Sequence, residues 1–140
     1  MKFFAVVAAL VAAVAAQNIE IGYPAAGASV KAGDPMFVQV NRPNSLTGST
    51  EVTVVVSMAS CSNGCIDPSE YLGSTLYHGA FDPEYPTNRT PQDVPQQKFT
   101  VTVPDTFPAG QAVLSVVHLS LVGAGPFPLY EIKNVTVNVE

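Results

Sequence analysis

The 140-residue chain has no tryptophan, two histidines and only six lysines and arginines, against eleven aspartates and glutamates. The few cations are scattered, so the sequence offers no basic stripe. Nucleic acids and anionic membranes are bound chiefly through clusters of positive charge. The composition therefore argues against both as partners.

The first residues have the features of a secretory signal peptide. Lys2 precedes an apolar run that ends at Ala16, and small residues stand at the positions that signal peptidase reads. The run is too short to cross a bilayer comfortably. We therefore expect a signal peptide over residues 1–16, a single secreted domain over residues 17–140, and no membrane insertion. Without Lys2, five cations face eleven carboxylates, so the mature domain has a net charge of −6.

The sequence contains two Asn-X-Thr motifs, which are acceptors for N-glycosylation in secreted chains. They begin at Asn88 and Asn134. Pro91 follows the first motif directly and makes it the weaker of the two. We expect a glycoprotein with these two asparagines as the acceptor sites.

The only cysteines are Cys61 and Cys65, in the segment CSNGC. A disulfide is the expected state in an oxidising compartment, and Asn63-Gly64 suits the tight turn between them. Two thiolates cannot complete a tetrahedral zinc site, and no histidine lies nearby in sequence. For so short a loop the chain-entropy model gives only about 2 kcal/mol. We therefore expect the bridge to shape a loop.

Alternation of apolar and polar residues dominates the mature chain and predicts half-buried β-strands. Pro- and Gly-rich segments separate these strands, and no segment after the signal shows a helical stripe. The pattern predicts an all-β, immunoglobulin-like or fibronectin-like antiparallel β-sandwich of about seven strands, with a closed barrel as the alternative. The expected strands are residues 19–23, 36–41, 51–58, 73–78, 97–103, 112–122 and 134–140.

The segment GAGPFP after the apolar run 112–122 looks at first like a phosphate-binding loop. Pro128 stands where the third glycine of a dinucleotide-binding fingerprint belongs, and it opposes the helix that such a loop requires. A hairpin turn explains the segment better, because Gly123 and Gly125 permit turn dihedrals and the prolines stiffen the crossing. No nucleotide or other cofactor is expected.

The residues give little support for an enzyme. His118 lies in an apolar strand, where a hydrogen-bonded core residue is the plainer interpretation, and His78 is expected to be exposed. Two carboxylate pairs, Asp67 with Glu70 and Asp82 with Glu84, lie in Pro-rich loops where turn formation explains them. The expected first residue, Gln17, cannot provide the N-terminal histidine of a copper monooxygenase. Neither a catalytic residue nor a metal site is predicted.

A carbohydrate-binding module is the main alternative to a protein-binding domain. Such modules present exposed aromatic rings, and the loop region contains Tyr71, Tyr77, Phe81 and Tyr85. Tyr77 and Phe81 also suit the core, and the absence of tryptophan would leave a weak platform. Weak binding of carbohydrate therefore stays open beside protein binding.

Several segments together resemble the fungal necrosis-inducing secreted proteins, a family of small effectors. They are VNRPNSLTGSTEVTVVVSMASCSNGC, LGSTLYHGAFDP, FTVTVPDTFPAGQAVLSVVHLSLVGAGPFP and NVTVNV, and they span nearly the whole mature chain. The turn RPNSLTGS and the segment HLSLVGAGP are the most specific. The resemblance implies a virulence protein without enzymatic activity, secreted into plant tissue. It also implies binding to host immune kinases, suppression of defence and cell death at high dose.

The resemblance leaves the contact residues and the site of action, inside or outside the host cell, open. Long Pro-stiffened loops present preorganised surfaces, which limits the entropy lost on binding. We expect one contact surface that combines the loop CSNGCIDPSEY with the turn GAGPFPLY. Its exposed anchors would be Tyr71, Phe127 and Tyr130.

Overall fold

The structure is a computed structural model and describes residues 18–45 and 47–140. The expected signal peptide, residues 1–16, lies outside this range, so its prediction stays untested. Within the described range there is no helix long and apolar enough to cross a membrane.

Eight strands form two sheets. They are β1 (Glu20–Tyr23), β2 (Ser29–Val30), β3 (Pro35–Asn41), β4 (Ser49–Ser60), β5 (Ser74–Gly79), β6 (Gln96–Thr102), β7 (Gly110–Val122) and β8 (Phe127–Val139). One sheet has the order β1-β3-β6, and the other has the order β2-β8-β7-β4-β5. The all-β immunoglobulin-like sandwich is thereby confirmed.

The two-residue strand β2 departs from the prediction of a purely antiparallel fold. It pairs in parallel with the end of β8, where Ser29 lies opposite Asn138 and Val30 opposite Val139. A strand of two residues is too short to show any alternation, so the sequence pattern had no means to reveal it.

The core lies between the two sheets and consists of the apolar set of each alternating strand. On β6, Phe99 and Val101 are buried while Lys98 and Thr100 are exposed, as the alternation predicted. The fully buried side chains include Val38, Val40, Val54, Val56, Met58, Leu114, Val116 and Val137. Side chains of the opposite parity therefore point away from the core.

Strand β7 is the central strand of the larger sheet, paired with β4 on one side and β8 on the other. This position was predicted from its apolar residues on both faces. Its core face is fully buried at Leu114 and Val116, and its other face is half-buried at Val117 and Leu119.

The hairpin between β7 and β8 confirms the interpretation of GAGPFP as a turn. Val122 pairs with Phe127, and Gly123 has a positive φ of 85°. The predicted last strand, 134–140, was too short, because β8 begins at Phe127 and includes Pro128. On its other side β8 has a partner only at Asn138 and Val139, so a proline without an N–H group is tolerated near its start.

Gly73, which precedes β5, provides a test of close backbone packing. Its φ is +73°, and a Cβ there would collide with the carbonyl oxygen of Met58 and lie 2.7 Å from Cα of Ala59. Gly27 has a similar φ of +80° but open space around it. We expect Gly73→Ala to lower the free energy of unfolding by about 1–3 kcal/mol more than Gly27→Ala, because backbone atoms cannot move aside easily. Urea denaturation of the two variants measures the difference, and equal losses would contradict the packing of this segment against β4.

Candidate functional site

A cluster of ionisable side chains lies inside the sandwich, centred on His118. His118 is fully buried on β7, and its partners stand on the two neighbouring strands. Its Nδ1 lies 2.8 Å from Oε1 of Glu131 on β8, and its Nε2 contacts Oε2 of Glu51 on β4. The pairing register explains the meeting, because His118 is directly opposite Glu131, and Glu51 is opposite Ser120.

Both ring nitrogens of His118 therefore face carboxylate oxygens. A carboxylate accepts hydrogen bonds and cannot donate them, so both nitrogens donate when the glutamates are ionised. Only the imidazolium form carries two N–H groups. His118 is thus a buried cation held between two anions.

The cluster extends to the smaller sheet through Arg42 and Ile19. The Arg42 guanidinium, only 6% exposed, donates from Nε to Oε1 of Glu51 at 3.0 Å and from NH2 to Oγ of Ser49 at 2.7 Å. The backbone N–H of Ile19 donates to Oε1 of Glu131 at 2.9 Å. Since Arg42 directly follows β3 and Ile19 directly precedes β1, the cluster ties the ends of both strands to the larger sheet.

These contacts decide the charge states. Burial alone would lower the pKa of His118, but the hydrogen bonds and charges of Glu131 and Glu51 outweigh it and raise the pKa above 6.5. Burial likewise favours a raised pKa for Glu51, but His118 and Arg42 outweigh it and bring that pKa below 4.5. With His118 protonated and both glutamates ionised, the two cations and two anions cancel, as a buried charge group requires.

The arrangement is suited to holding the fold and not to catalysis. His118 has no exposed surface, both its nitrogens are occupied, and the ring of Phe81 packs edge-on at 5.4 Å between centroids. No substrate can reach it as a general base. The interpretation of His118 as a hydrogen-bonded core residue is confirmed. The partners of His118 were not singled out from the sequence, although Glu51, Glu131 and Arg42 are charged residues in or beside strands rich in apolar residues.

The other titratable residues considered from the sequence lie apart from this cluster. His78 is exposed on β5, opposite Val55. Asp67 accepts hydrogen bonds from Oγ and N of Ser69 at 2.6 and 2.8 Å, which lowers its pKa and confirms it as a turn residue. Among residues 18–45 and 47–140, no three His, Cys, Asp or Glu side chains are grouped in a way that could hold a metal ion.

The disulfide between Cys61 and Cys65 is present, as predicted, with 4.4 Å between the Cα atoms. The N–H of Gly64 donates to the carbonyl of Cys61, and the N–H of Cys61 donates to the carbonyl of Gln111, both at 2.9 Å. The loop therefore lies where β4 ends and β7 begins. We call this edge of the larger sheet the disulfide end.

The three predicted anchors are all exposed, but they do not form one surface. Tyr71 lies at the disulfide end, beside Ser60 and Pro108. Phe127 follows the hairpin at the opposite end of β7, and strict alternation along β8 places Phe127 and Tyr130 on opposite faces. The single combined surface is therefore wrong, because β4 and β7 separate its two loops by their full length.

The four aromatic residues considered for sugar binding do not form one platform, and the core interpretation of Tyr77 and Phe81 is the correct one. Phe81 is buried, and Tyr77 is half-buried with its ring 4.7 Å from that of Phe99. Of the remaining two rings, Tyr85 lies under the guanidinium of Arg89. Tyr71 stands alone at the disulfide end. Alternation along a strand carries no information on the pairing register, so loop aromatics and core aromatics could not be separated from the sequence.

The predicted glycosylation sites are both exposed. Asn88 lies in the segment between β5 and β6, and Asn134 lies on β8 opposite Ser115. Both remain predictions.

Fold and site together define a small immunoglobulin-like β-sandwich with one short disulfide in the loop after β4 and a buried ion cluster inside. Residues 14–138 match the Nis1 family, and the chain belongs to that family. The resemblance seen in the sequence is confirmed at this level. No curated protein matches the chain significantly.

Two solved structures are similar to the chain. One is a superoxide reductase (neelaredoxin) from Ignicoccus hospitalis, 17% identical, with a TM-score of 0.48 over 89% of this chain and 81% of that one. The other is murine CRIg, 12% identical, with a TM-score of 0.45 over 88% of this chain and 98% of that one. At such identities neither likeness bears on what this chain binds or does.

Removal of the His118 side chain tests the role of the cluster. We expect His118→Ala to lower the free energy of unfolding by about 3–5 kcal/mol, because two buried carboxylates are left without their shared cation. The matched control is His78→Ala, where an exposed histidine is lost and a change within about 0.5 kcal/mol is expected. Denaturation of both variants at pH 5.5 gives the comparison. Equal losses would show that the cluster does not hold the fold.

The pH dependence of stability follows from the same contacts. A raised His118 pKa stabilises the fold fully below 6.5, and the stabilisation is lost as the pH rises through the folded-state pKa. A lowered Glu51 pKa stabilises above 4.5 and is lost as the pH falls through its folded-state value. We expect the contribution of the cluster to be greatest between these two values. Unfolding curves from pH 4 to pH 9 should show stability falling at alkaline pH, and His118→Gln should flatten that fall.

Proposed function

We propose that the protein is a secreted fungal effector without enzymatic activity. It binds host plant immune kinases, suppresses defence signalling and induces cell death at high dose. Membership of the Nis1 family supports the effector role, and the disulfide suits an extracellular protein. The kinase partner rests on the family resemblance of the sequence. Burial of His118 with both nitrogens occupied favours a protein that works by binding.

The observation that carries the binding role is the character of one surface. The outward side chains of β4, β7 and β8 point away from the core, and we call them the outer face. Two adjacent cross-strand rows on this face are mostly apolar. One row is Val55, Val117 and Ile132, and the next is Thr53, Leu119 and Tyr130.

None of the outward side chains on these three strands is Asp, Glu, Lys or Arg. Cores of protein interfaces are depleted in charged residues and enriched in aromatic ones, because burying an unpaired charge is costly. Tyr130 is 62% exposed and stands beside Leu119 on this face. It is the natural anchor for a partner, since exposed tyrosines are frequent hot spots.

The sequon at Asn134 bears directly on this surface. Asn134 lies four residues beyond Tyr130 on the same strand and the same face, a separation of about 13 Å. A glycan at Asn134 would stand on the outer face, one cross-strand row beyond Val117 and Ile132. The docking experiment should therefore use Asn134→Gln beside the secreted glycoform.

Capture of the kinase domain of a plant pattern-receptor co-receptor tests the proposal. We expect the mature protein to bind it, and Tyr130→Ala to weaken binding roughly thirtyfold, the loss typical of an interfacial hot spot of about 2 kcal/mol. The matched control is Tyr71→Ala, which removes an equally exposed ring at the disulfide end. Surface plasmon resonance with both variants measures the difference.

The possible failures are distinguishable. If Tyr71→Ala weakens binding and Tyr130→Ala does not, the contact surface lies at the disulfide end and the outer face is excluded. If the unaltered protein fails to bind such kinases in both glycosylation states, the kinase partner itself is wrong.

A further inference from the structure

A second surface with features of a ligand site lies on the smaller sheet, on the side facing away from the core. A groove of about 380 Å³ is lined there by Gly22, Tyr23, Phe37, Gln39 and Lys98. The strand register builds it, because Tyr23 on β1, Gln39 on β3 and Lys98 on β6 form one cross-strand row. Phe37 precedes Gln39 by two residues and shares its face.

The two aromatic rings are not needed for the core. Tyr23 is 52% exposed and Phe37 is 58% exposed, on neighbouring strands of one sheet face. Large apolar side chains that stay exposed side by side commonly mark an interaction site. Neither residue was among the aromatics singled out from the sequence.

Between the rings the groove offers amide groups held in place. Nε2 of Gln39 donates to Oδ1 of Asn41 at 2.9 Å. A Cβ on Gly22 would lie 2.7 Å from Nε2 of Gln39 and 2.8 Å from Nδ2 of Asn41. The φ of Gly22 is not in the left-handed region, and the close neighbours of a Cβ there are the ends of these two amide side chains, which it would displace. A bulge at this point of β1 also sets the direction of Tyr23.

We propose that this groove binds a short stretch of a neutral oligosaccharide built of hexopyranose units. Exposed rings stack on the apolar C–H faces of such sugars, while amides and an ammonium group bond to their hydroxyls. The volume lies at the small end of the range for ligand pockets, about 300–1,000 Å³. An open groove lets a longer chain continue beyond it.

Charge decides between neutral and acidic sugars. Lys98 is the only charged side chain that lines the groove, while Glu20 stands in the next cross-strand row, opposite Asn41. The mature domain carries a net charge of −6, which repels polyanionic polymers at long range. One exposed ammonium does not offset that field, so a neutral sugar fits better than a polyuronate.

This site is independent of the proposed kinase contact. The groove belongs to β1, β3 and β6, whereas the outer face belongs to β4, β7 and β8, and the core separates them. The protein can therefore hold a cell-wall glycan on one side and a protein partner on the other. A failure to bind the oligosaccharide therefore does not affect the test of kinase binding, and the reverse also holds.

NMR titration of the labelled mature protein with laminarihexaose, cellohexaose and chitohexaose tests the proposal. We expect at least one of the three to shift the backbone signals of residues 22–23 and 37–39 and the side-chain amide of Gln39. The signals of residues 117–119 and 130–132 on the outer face should not move. Comparing the three sugars identifies the source of the glycan.

Variants connect the shifts to the groove. The double variant Tyr23→Ala, Phe37→Ala should weaken binding at least tenfold, and Gly22→Ala should weaken it by displacing the amides. Tyr71→Ala is the control with a similarly exposed ring and should bind like the unaltered protein. Thermal unfolding of each variant shows whether the fold is kept.

Three results would overturn the inference. The first is that none of the three sugars shifts any groove signal at millimolar concentration. The second is that the folded double variant binds as tightly as the unaltered protein. The third is that trigalacturonic acid binds more tightly than every neutral sugar, which would replace the neutral ligand by an acidic one.

Discussion

The structure depends on one buried cation, the imidazolium of His118, placed between Glu131 and Glu51. These three residues stand on neighbouring strands of the larger sheet, and Arg42 and Ile19 connect them to the ends of β3 and β1. Most of the core is interchangeable valine packing, which fixes burial but not the identity of partners. The ion cluster with its directional hydrogen bonds adds specificity for one strand register, because a wrong register would leave buried charges unpaired.

This constraint also limits where chemistry and recognition can occur. His118 is buried and both its ring nitrogens are bonded within the fold, so its raised pKa marks a structural site here and not a catalytic one. Recognition is left to surfaces, and the two sheets offer different ones. The outer face is uncharged and has a mostly apolar centre, whereas the groove on the smaller sheet combines exposed rings with amides. The outer face suits the surface of a protein partner, and the groove suits a narrow oligosaccharide chain.

The sequence predicted the fold well because alternation reports directly which face of a strand is buried. It located seven of the strands, the hairpin at Gly123 and the disulfide. It could not predict that Glu51 and Glu131 meet His118, because alternation says nothing of which strand lies beside which. The lack of information on strand neighbours also explains why the aromatic residues were hard to assign. Phe81 is in the core, while Tyr23 and Phe37, which share a groove, are fourteen residues apart in sequence. Only the register brings such residues together.

The carboxylates of the chain are concentrated away from the outer face, which leaves that face uncharged. Seven of the eleven lie in connecting segments, namely Asp34, Asp67, Glu70, Asp82, Glu84, Asp93 and Asp105, and two more are neutralised inside the core. An uncharged face would by itself favour pairing with a second copy of the chain. Two copies of the mature domain, however, each carry a net charge of −6, and this repulsion opposes self-association without placing a charge on the face. A neutral or basic partner is not repelled in this way. The net negative charge therefore disfavours self-association relative to binding of other molecules.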